Sequence, residues 1–283
     1  MTAHGMTPRE REQVDAANAA GGPAVVLLHE IWTLAGSWEP WRARLAEHGL
    51  ASVAVAWPRE PASAERSAAH PTAMAGVGLA EILEHTRTVV EALREAPFLV
   101  GHGIGGLTAQ QVAGKGEARA TVAITPAPMR GAPRVPDVVL MSASPVLRDR
   151  ANRDTTVRLT YPEFRFAWAN AIPPDEARAL WEAHHVAGPG RVAFEVASQR
   201  REARAPAGVD TVTVDRGPML VIAAGKDRLV PPVAASDTFR IQSRNPCPTD
   251  FVEFVDRGHT LTLDQGWPEV ADRVVEYLDR HRG

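Results

Sequence analysis

Residues 101–106 read Gly-His-Gly-Ile-Gly-Gly, between the apolar run Pro97-Phe98-Leu99-Val100 and a segment of helical character from about Leu107. A glycine-rich turn in that setting admits two readings. As written it satisfies G-x-G-x-x-G, the pattern that brings a dinucleotide pyrophosphate close to a helix N-terminus. With a serine at position 103 it would be the sharp strand–turn–helix turn that lifts a nucleophile above a sheet. Each reading makes demands on the rest of the chain.

A dinucleotide site needs an acidic residue about 20 positions further on, at the end of the next strand, to hold the ribose hydroxyls. That region is Ala120-Thr121-Val122-Ala123-Ile124-Thr125-Pro126, without a carboxylate. The fingerprint also normally opens its domain, whereas several strand-like runs precede this one. The spacing therefore argues against a bound nucleotide, and no cofactor is expected.

The pattern along the chain predicts a parallel sheet. Apolar runs of strand length lie at Ala24–His29, Ser52–Trp57, Phe98–Val100, Ala120–Ile124, Met219–Ala224 and Phe251–Val255. Helical segments fall between them, at about 38–48, 77–95, 104–114, 232–243 and 268–281, as βαβ units require. Residues 1–22 read as a polar N-terminal extension, a short helix and a linker. Residues 23–130 and 217–283 form the α/β core. Between them, 131–216 is mostly helical and carries Tyr161, Phe164, Phe166, Trp168 and Trp181, which reads as a cap inserted into the core. Pro173-Pro174-Asp175-Glu176 marks a helix start there.

Composition narrows the function classes. With 283 residues, 45% of them hydrophobic and 23% charged, the chain can bury a substantial core. A net charge of −3 without a dense Lys/Arg cluster predicts no nucleic-acid partner and no anionic-membrane partner. No apolar stretch approaches the roughly 20 residues of a membrane span, and the polar start lacks a signal-type apolar region, so a cytoplasmic address is expected. The single cysteine, Cys247, sits in an Asn-Pro-Cys-Pro loop and reads as structural or incidental. The ten histidines show no ligand-spaced cluster, and the adjacent His184 and His185 point apart on a helix, so no metal is expected.

The second reading of 101–106 asks for an acid and then a histidine, each after a later strand. Met219–Ala224 is followed by Gly225-Lys226-Asp227, and Phe251–Val255 by Arg257-Gly258-His259-Thr260. Upstream, Leu28-His29-Glu30-Ile31-Trp32 occupies another strand-end loop. This arrangement resembles the α/β-hydrolase superfamily, in its capped single-domain form, over about residues 23–130 and 217–283. The resemblance implies that Asp227 orients His259 as general base. It also implies an oxyanion hole formed by the backbone N–H groups of Ile31 and Ile104. His29, Trp32, His102 and Trp168 are the candidate substrate contacts, with His102 also a candidate structural partner.

Three departures set this chain apart. Gly103 leaves the nucleophile position vacant, so no acyl-enzyme can form there. The usual His-Gly of the oxyanion loop is His29-Glu30, and His29-Glu30-Ile31-Trp32 resembles the loop of dienelactone hydrolases, whose partner cysteine is missing here. The Asp-x-Pro-Gly segment common after the next strand reads Ala56-Trp57-Pro58-Arg59-Glu60. Glycine is not the usual inactivating replacement for serine. Together with the changes at Glu30 and Ala56, that favours a natural variant over a laboratory substitution.

An oriented imidazole, an oxyanion hole and a water-excluding cap can still remove a proton beside a carbonyl and return it, with Glu30 as the second acid–base group. The expectation is therefore cofactor-free acid–base chemistry, an epimerase, isomerase, lyase or cyclase acting on a carbonyl-containing small molecule or modified peptide in specialised metabolism. Two alternatives stand beside it: an ester, thioester or lactone hydrolase in which His259 activates water, and a pseudo-hydrolase that only binds. Retention of Asp227 and His259 argues against the last. A monomer or homodimer is expected.

Overall fold

The computed structural model describes residues 5–131, 137–198 and 206–283. Its strands are β1 (Val25–Leu28), β2 (Ser52–Val55), β3 (Phe98–His102), β4 (Ala120–Ile124), β5 (Thr156–Val157), β6 (Gly188–Pro189), β7 (Met219–Ala224) and β8 (Thr249–Phe254). Six of them form one sheet in the order β2-β1-β3-β4-β7-β8, every neighbouring pair parallel. The helices are α1 (Pro8–Ala20), α2 (Glu39–Glu47), α3 (Ala64–Ala69), α4 (Leu79–Glu91), α5 (Ile104–Ala113), α6 (Asp137–Leu147), α7 (Tyr161–Ala167), α8 (Pro174–His184), α9 (Gly190–Ser198), α10 (Pro232–Gln242) and α11 (Trp267–Asp279). The strand runs read from the sequence all enter the sheet, with ends shifted by one or two residues.

The sheet's strands are apolar on both faces because both faces are covered. Alternate residues point to opposite sides. Val25, Leu27, Phe98, Val100, Leu220 and Ile222 pack with Trp41 and Leu45 of α2 and Val270, Val274 and Leu278 of α11. Val26, Leu28, Val53, Leu99 and Val221 pack with Val14 of α1, Val89 of α4 and Ala109 and Val112 of α5. Each such side chain removed from water stabilises the fold by about 1.5–3 kcal/mol.

The helix of the N-terminal segment packs on the core. α1 lies along β2, at the edge of the sheet, where Gln13 accepts from the Ala54 N–H at 2.9 Å and Glu10 from the Ala56 N–H at 2.9 Å. Glu10 also meets His85 Nε2 at 2.9 Å, which ties the helix to α4. A polar composition hid this role: the polar side chains are the ones that satisfy the strand's open edge.

Residues 131–216 add no strand to the main sheet among the described residues. They supply α6–α9 and the antiparallel β5–β6 pair. Phe164, Trp168, Val186 and Val192 of this insertion form a core with Ile31, Trp32, Ile104 and Leu107, at the C-terminal ends of β1 and β3. No described helix is long and apolar enough to cross a membrane.

Candidate active site

The turn from β3 into α5 fixes the site. Gly103 has φ 55° and ψ −112°, a backbone state that favours glycine. Two further glycines let α5 approach the sheet: a Cβ on Gly101 would strike the Gly105 carbonyl, and one on Gly105 the Leu28 carbonyl. All of α5 is buried behind the turn.

The nucleophile position is not vacant, which corrects the reading of Gly103. A Cβ built on Gly103 would fall on the Glu30 carboxylate. The register explains why. β1 and β3 are neighbours with Leu28 opposite Gly101, so Glu30 and Gly103, each two residues further on, stand side by side. The Ile104 N–H donates a short hydrogen bond to Glu30 Oε2, and the Ile31 N–H also donates to this carboxylate. The expected oxyanion donors are thus both engaged by a side chain of the chain itself.

Burial is the largest influence on Glu30 and lifts its pKa above the ordinary 4.5, against the lowering effects of His259 and the two amides. Desolvating a carboxylate costs several kcal/mol even after relaxation. The two N–H groups and the imidazole offset part of that cost.

His259 follows β8 and Asp227 follows β7, as the sequence indicated. His259 Nδ1 donates to Asp227 Oδ2 at 2.7 Å, and both side chains are fully buried. Asp227 Oδ1 accepts from the N–H groups of Leu229 and Val230, each at 2.8 Å, which fixes the carboxylate's direction. Burial alone would lower the His259 pKa, but the charge and hydrogen bond of Asp227 and the charge of Glu30 outweigh it and raise it above 6.5. Nε2 is buried and has no hydrogen-bond partner among the described residues. Arg257, ion-paired with Asp264, and Thr260, bonded to Asp264 at 2.7 Å, brace the loop that carries His259.

A cavity of about 110 Å³ lies above Glu30, lined by Ile31, Trp32 and Ile104 from the core and by Val139, Leu147 and Val196, among others, from the insertion. An apolar cavity of about 150 Å³ holds a benzene molecule, so this one suits a few heavy atoms. Among the described residues that line it, Glu30 is the only ionisable one.

Of the four expected substrate contacts, Trp32 lines this cavity and the other three do not. His29 is turned away: its Nε2 pairs with Glu60 at 2.8 Å, its Nδ1 meets the Glu30 carbonyl at 2.9 Å, and its ring stacks on Trp57. His102 packs on the His259 ring at 4.5 Å, with Nδ1 3.2 Å from the Thr262 hydroxyl. Burial and the nearby His259 push its pKa well below 6.5, so it stays neutral. Trp168 sets its edge against His259 at 4.8 Å and buttresses the imidazole. Glu60 is a residue that sequence reasoning missed. It closes the turn after β2 by accepting from the N–H groups of Trp57 and Ala35, at 2.9 and 2.8 Å, besides pairing with His29. Among the described residues no three His, Cys, Asp or Glu side chains are grouped as a metal site requires.

Comparison with known proteins agrees with this architecture. Residues 25–273 match the model of the alpha/beta hydrolase family. The structure is similar to the monoacylglycerol lipase of Paleococcus ferrophilus, with TM-score 0.66 and 23% identity over 92% of this chain and 96% of that one. It is similar to a thermophilic esterase from Thermogutta terrifontis, with TM-score 0.66 and 15% identity over 93% and 91%. It is also similar to tomato methylketone synthase I, with TM-score 0.59 and 14% identity over 92% and 99%. No curated protein matches the sequence. At these identities the solved structures speak for the fold alone. The family match covers most of the chain, and by it this protein belongs to the alpha/beta hydrolase family.

Proposed function

We propose that the protein is a hydrolase of small, uncharged, apolar substrates, in which the Asp227–His259 pair activates water and the Glu30 carboxylate takes the place of the missing serine. The observation that carries this reading is the position of Glu30, its carboxylate in the volume of the absent side chain and on the amides of Ile31 and Ile104. Two of the structural neighbours are named as a lipase and an esterase, which supports hydrolysis as the reaction class. The small cavity favours a small molecule over a modified peptide.

The test is hydrolysis of short esters and short alkyl halides, followed by titration of released acid, with wild type and His259→Ala. Turnover in the wild type, lost in a folded His259→Ala protein, supports the reading. Equal turnover in both would sink it.

One observation favours a second reading, cofactor-free epimerisation or elimination. Glu30 and His259 are both buried with pKa values raised above the ordinary ones, and each feels the other's charge, which suits two groups that pass a proton. Solvent deuterium in substrate recovered under turnover is the expected result for that chemistry, and its absence would exclude it.

A further inference from the structure

We propose that the protein carries a second ligand site, a cationic basin between the insertion and the loop after β7, and that this basin binds a small aromatic carboxylate.

The basin is a cavity of about 560 Å³, open to solvent and lined by Tyr161, Pro162, Arg165, Phe166, Asn170 and Arg228. Its volume lies within the range of about 300–1,000 Å³ that small-molecule sites occupy. It shares no lining residue with the cavity at Glu30. Arg228 comes from the core and the other residues from the insertion, so the basin spans the seam between them.

Charge defines one half of the ligand. Arg165 and Arg228 bring two guanidinium groups to one basin, and neither forms an ion pair with a described carboxylate. Other arginines of the insertion do: Arg148 pairs with Glu163 and Arg191 with Asp154. Two cations around one basin without a counter-charge are unfavourable, and an anion between them relieves that cost. Both groups are held by contacts that leave their charge uncompensated. Arg165 donates to the Ala169 carbonyl, and the Arg228 guanidinium lies over the Phe166 ring, 4.8 Å from its centre. Guanidinium groups held in this way lose little freedom on binding, and their planar forks match a carboxylate.

The walls define the other half. Pro162, Phe166 and Tyr161 line the basin, and the Tyr161 hydroxyl is spent on the Pro174 carbonyl at 2.9 Å. Such walls suit an aromatic ring beside the anion. They offer little to the additional oxygens of a phosphate.

A bound anion would act at the seam. Asn170 Nδ2 already ties the insertion to the Lys226 carbonyl at 2.9 Å. Arg228 stands between Asp227 and Leu229, whose N–H holds Asp227 Oδ1 at 2.8 Å. An anion shared by Arg165 and Arg228 adds a second tie between the insertion and the loop that carries Asp227, and stabilises the folded chain in step with occupancy.

The experiment titrates the intact protein with phenylacetate by calorimetry and follows its melting temperature. The expected result is saturable binding of one equivalent and a melting temperature that climbs with phenylacetate. Affinity should fall at least about 10-fold in Arg165→Gln and in Arg228→Gln, each shown to be folded by its melting curve without ligand. Arg228→Lys, which keeps the charge and loses the fork, should lose less. Acetate and benzyl alcohol, which lack the ring or the charge, should each bind more weakly, and Glu30→Gln should keep the site. Unchanged affinity in both arginine variants, or its loss in Glu30→Gln, would overturn the location. Acetate or inorganic phosphate binding as tightly as phenylacetate would overturn the ligand class. No saturable binding of phenylacetate would overturn the site.

Discussion

Glu30 and Gly103 share one volume: the carboxylate of the first lies where any other residue at the second would place its Cβ. The missing side chain on one loop and the large one on the neighbouring loop are thus a single structural arrangement. It keeps the site filled, moves an acidic group onto the oxyanion donors, and leaves the Asp227–His259 pair in place.

Restoring serine at 103 alone should therefore fail. In Gly103→Ser the new side chain collides with Glu30, and forced overpacking of this kind costs about 1–3 kcal/mol. The single variant is expected to melt earlier than wild type and to resist fluorophosphonate labelling. The double variant Glu30→Ala with Gly103→Ser has room for the hydroxyl and is expected to label in a His259-dependent way. Equal labelling of single and double variants would contradict the shared volume.

Glu30 should weigh on stability in one direction of pH. Its folded pKa is raised above 4.5, chiefly by burial, so its contribution is fully favourable below 4.5 and is lost as pH rises through the folded value. Glu30→Gln imitates the protonated form. It should melt higher than wild type at pH 8 and converge on it toward the acid end, while losing turnover. A difference in melting temperature that does not change with pH would argue that Glu30 is not destabilised by ionisation.

Asp227 sets the His259 titration. The wild-type pKa lies above 6.5, so the imidazolium's contribution to stability is fully present below 6.5 and fades as pH rises through the folded value. Without the Asp227 charge, burial dominates and the pKa falls. In Asp227→Asn, the His259 ring resonances followed by NMR should titrate at lower pH, and the acid limb of the rate profile should move with them. An unmoved titration would mean that another group controls the imidazole.

Glu10 should count for more than its place on a polar helix suggests. Its pKa is lowered despite burial, by the hydrogen bond and charge of His85 and by Thr7, so its contribution is present above 4.5 and lost as pH falls through the folded value. Glu10→Ala leaves the Ala56 N–H without its acceptor, a loss of about 1–3 kcal/mol. Urea unfolding at neutral pH should show that deficit, and the gap to wild type should narrow in acid. An unchanged midpoint at neutral pH would remove α1 from the account of stability.

Much of this site was legible because each part is local. An apolar run ending in a short loop marks Asp227 after β7 and His259 after β8, and the small residues around Gly103 mark the turn into α5. The exchange between Glu30 and Gly103 was not legible in that way. The two are far apart in sequence and meet only through the pairing of Leu28 with Gly101, so each taken alone suggests a carboxylate beside an empty slot. The adjacency of β1 and β3, together with a large residue on one loop and a missing side chain on the next, is the signal that could have joined them. His29 misled for a related reason: its ring is claimed by Glu60, whose position depends on the turn after β2. The polar face of α1 could not be told from a solvated one, because an exposed edge strand and bulk water ask for the same side chains.

The helix that shuts the edge of β2 is made before the strand it covers. During synthesis Glu10 and Gln13 leave the ribosome ahead of Ala54 and Ala56, and His85, which holds Glu10, comes later still. Until that third partner arrives, β2 has one flank without its seal. The finished molecule gives little opening for strand-to-strand association at this edge, so the hazard belongs to the nascent chain. Conditions that slow translation or delay docking of the first helix are where poor yield of this protein should originate.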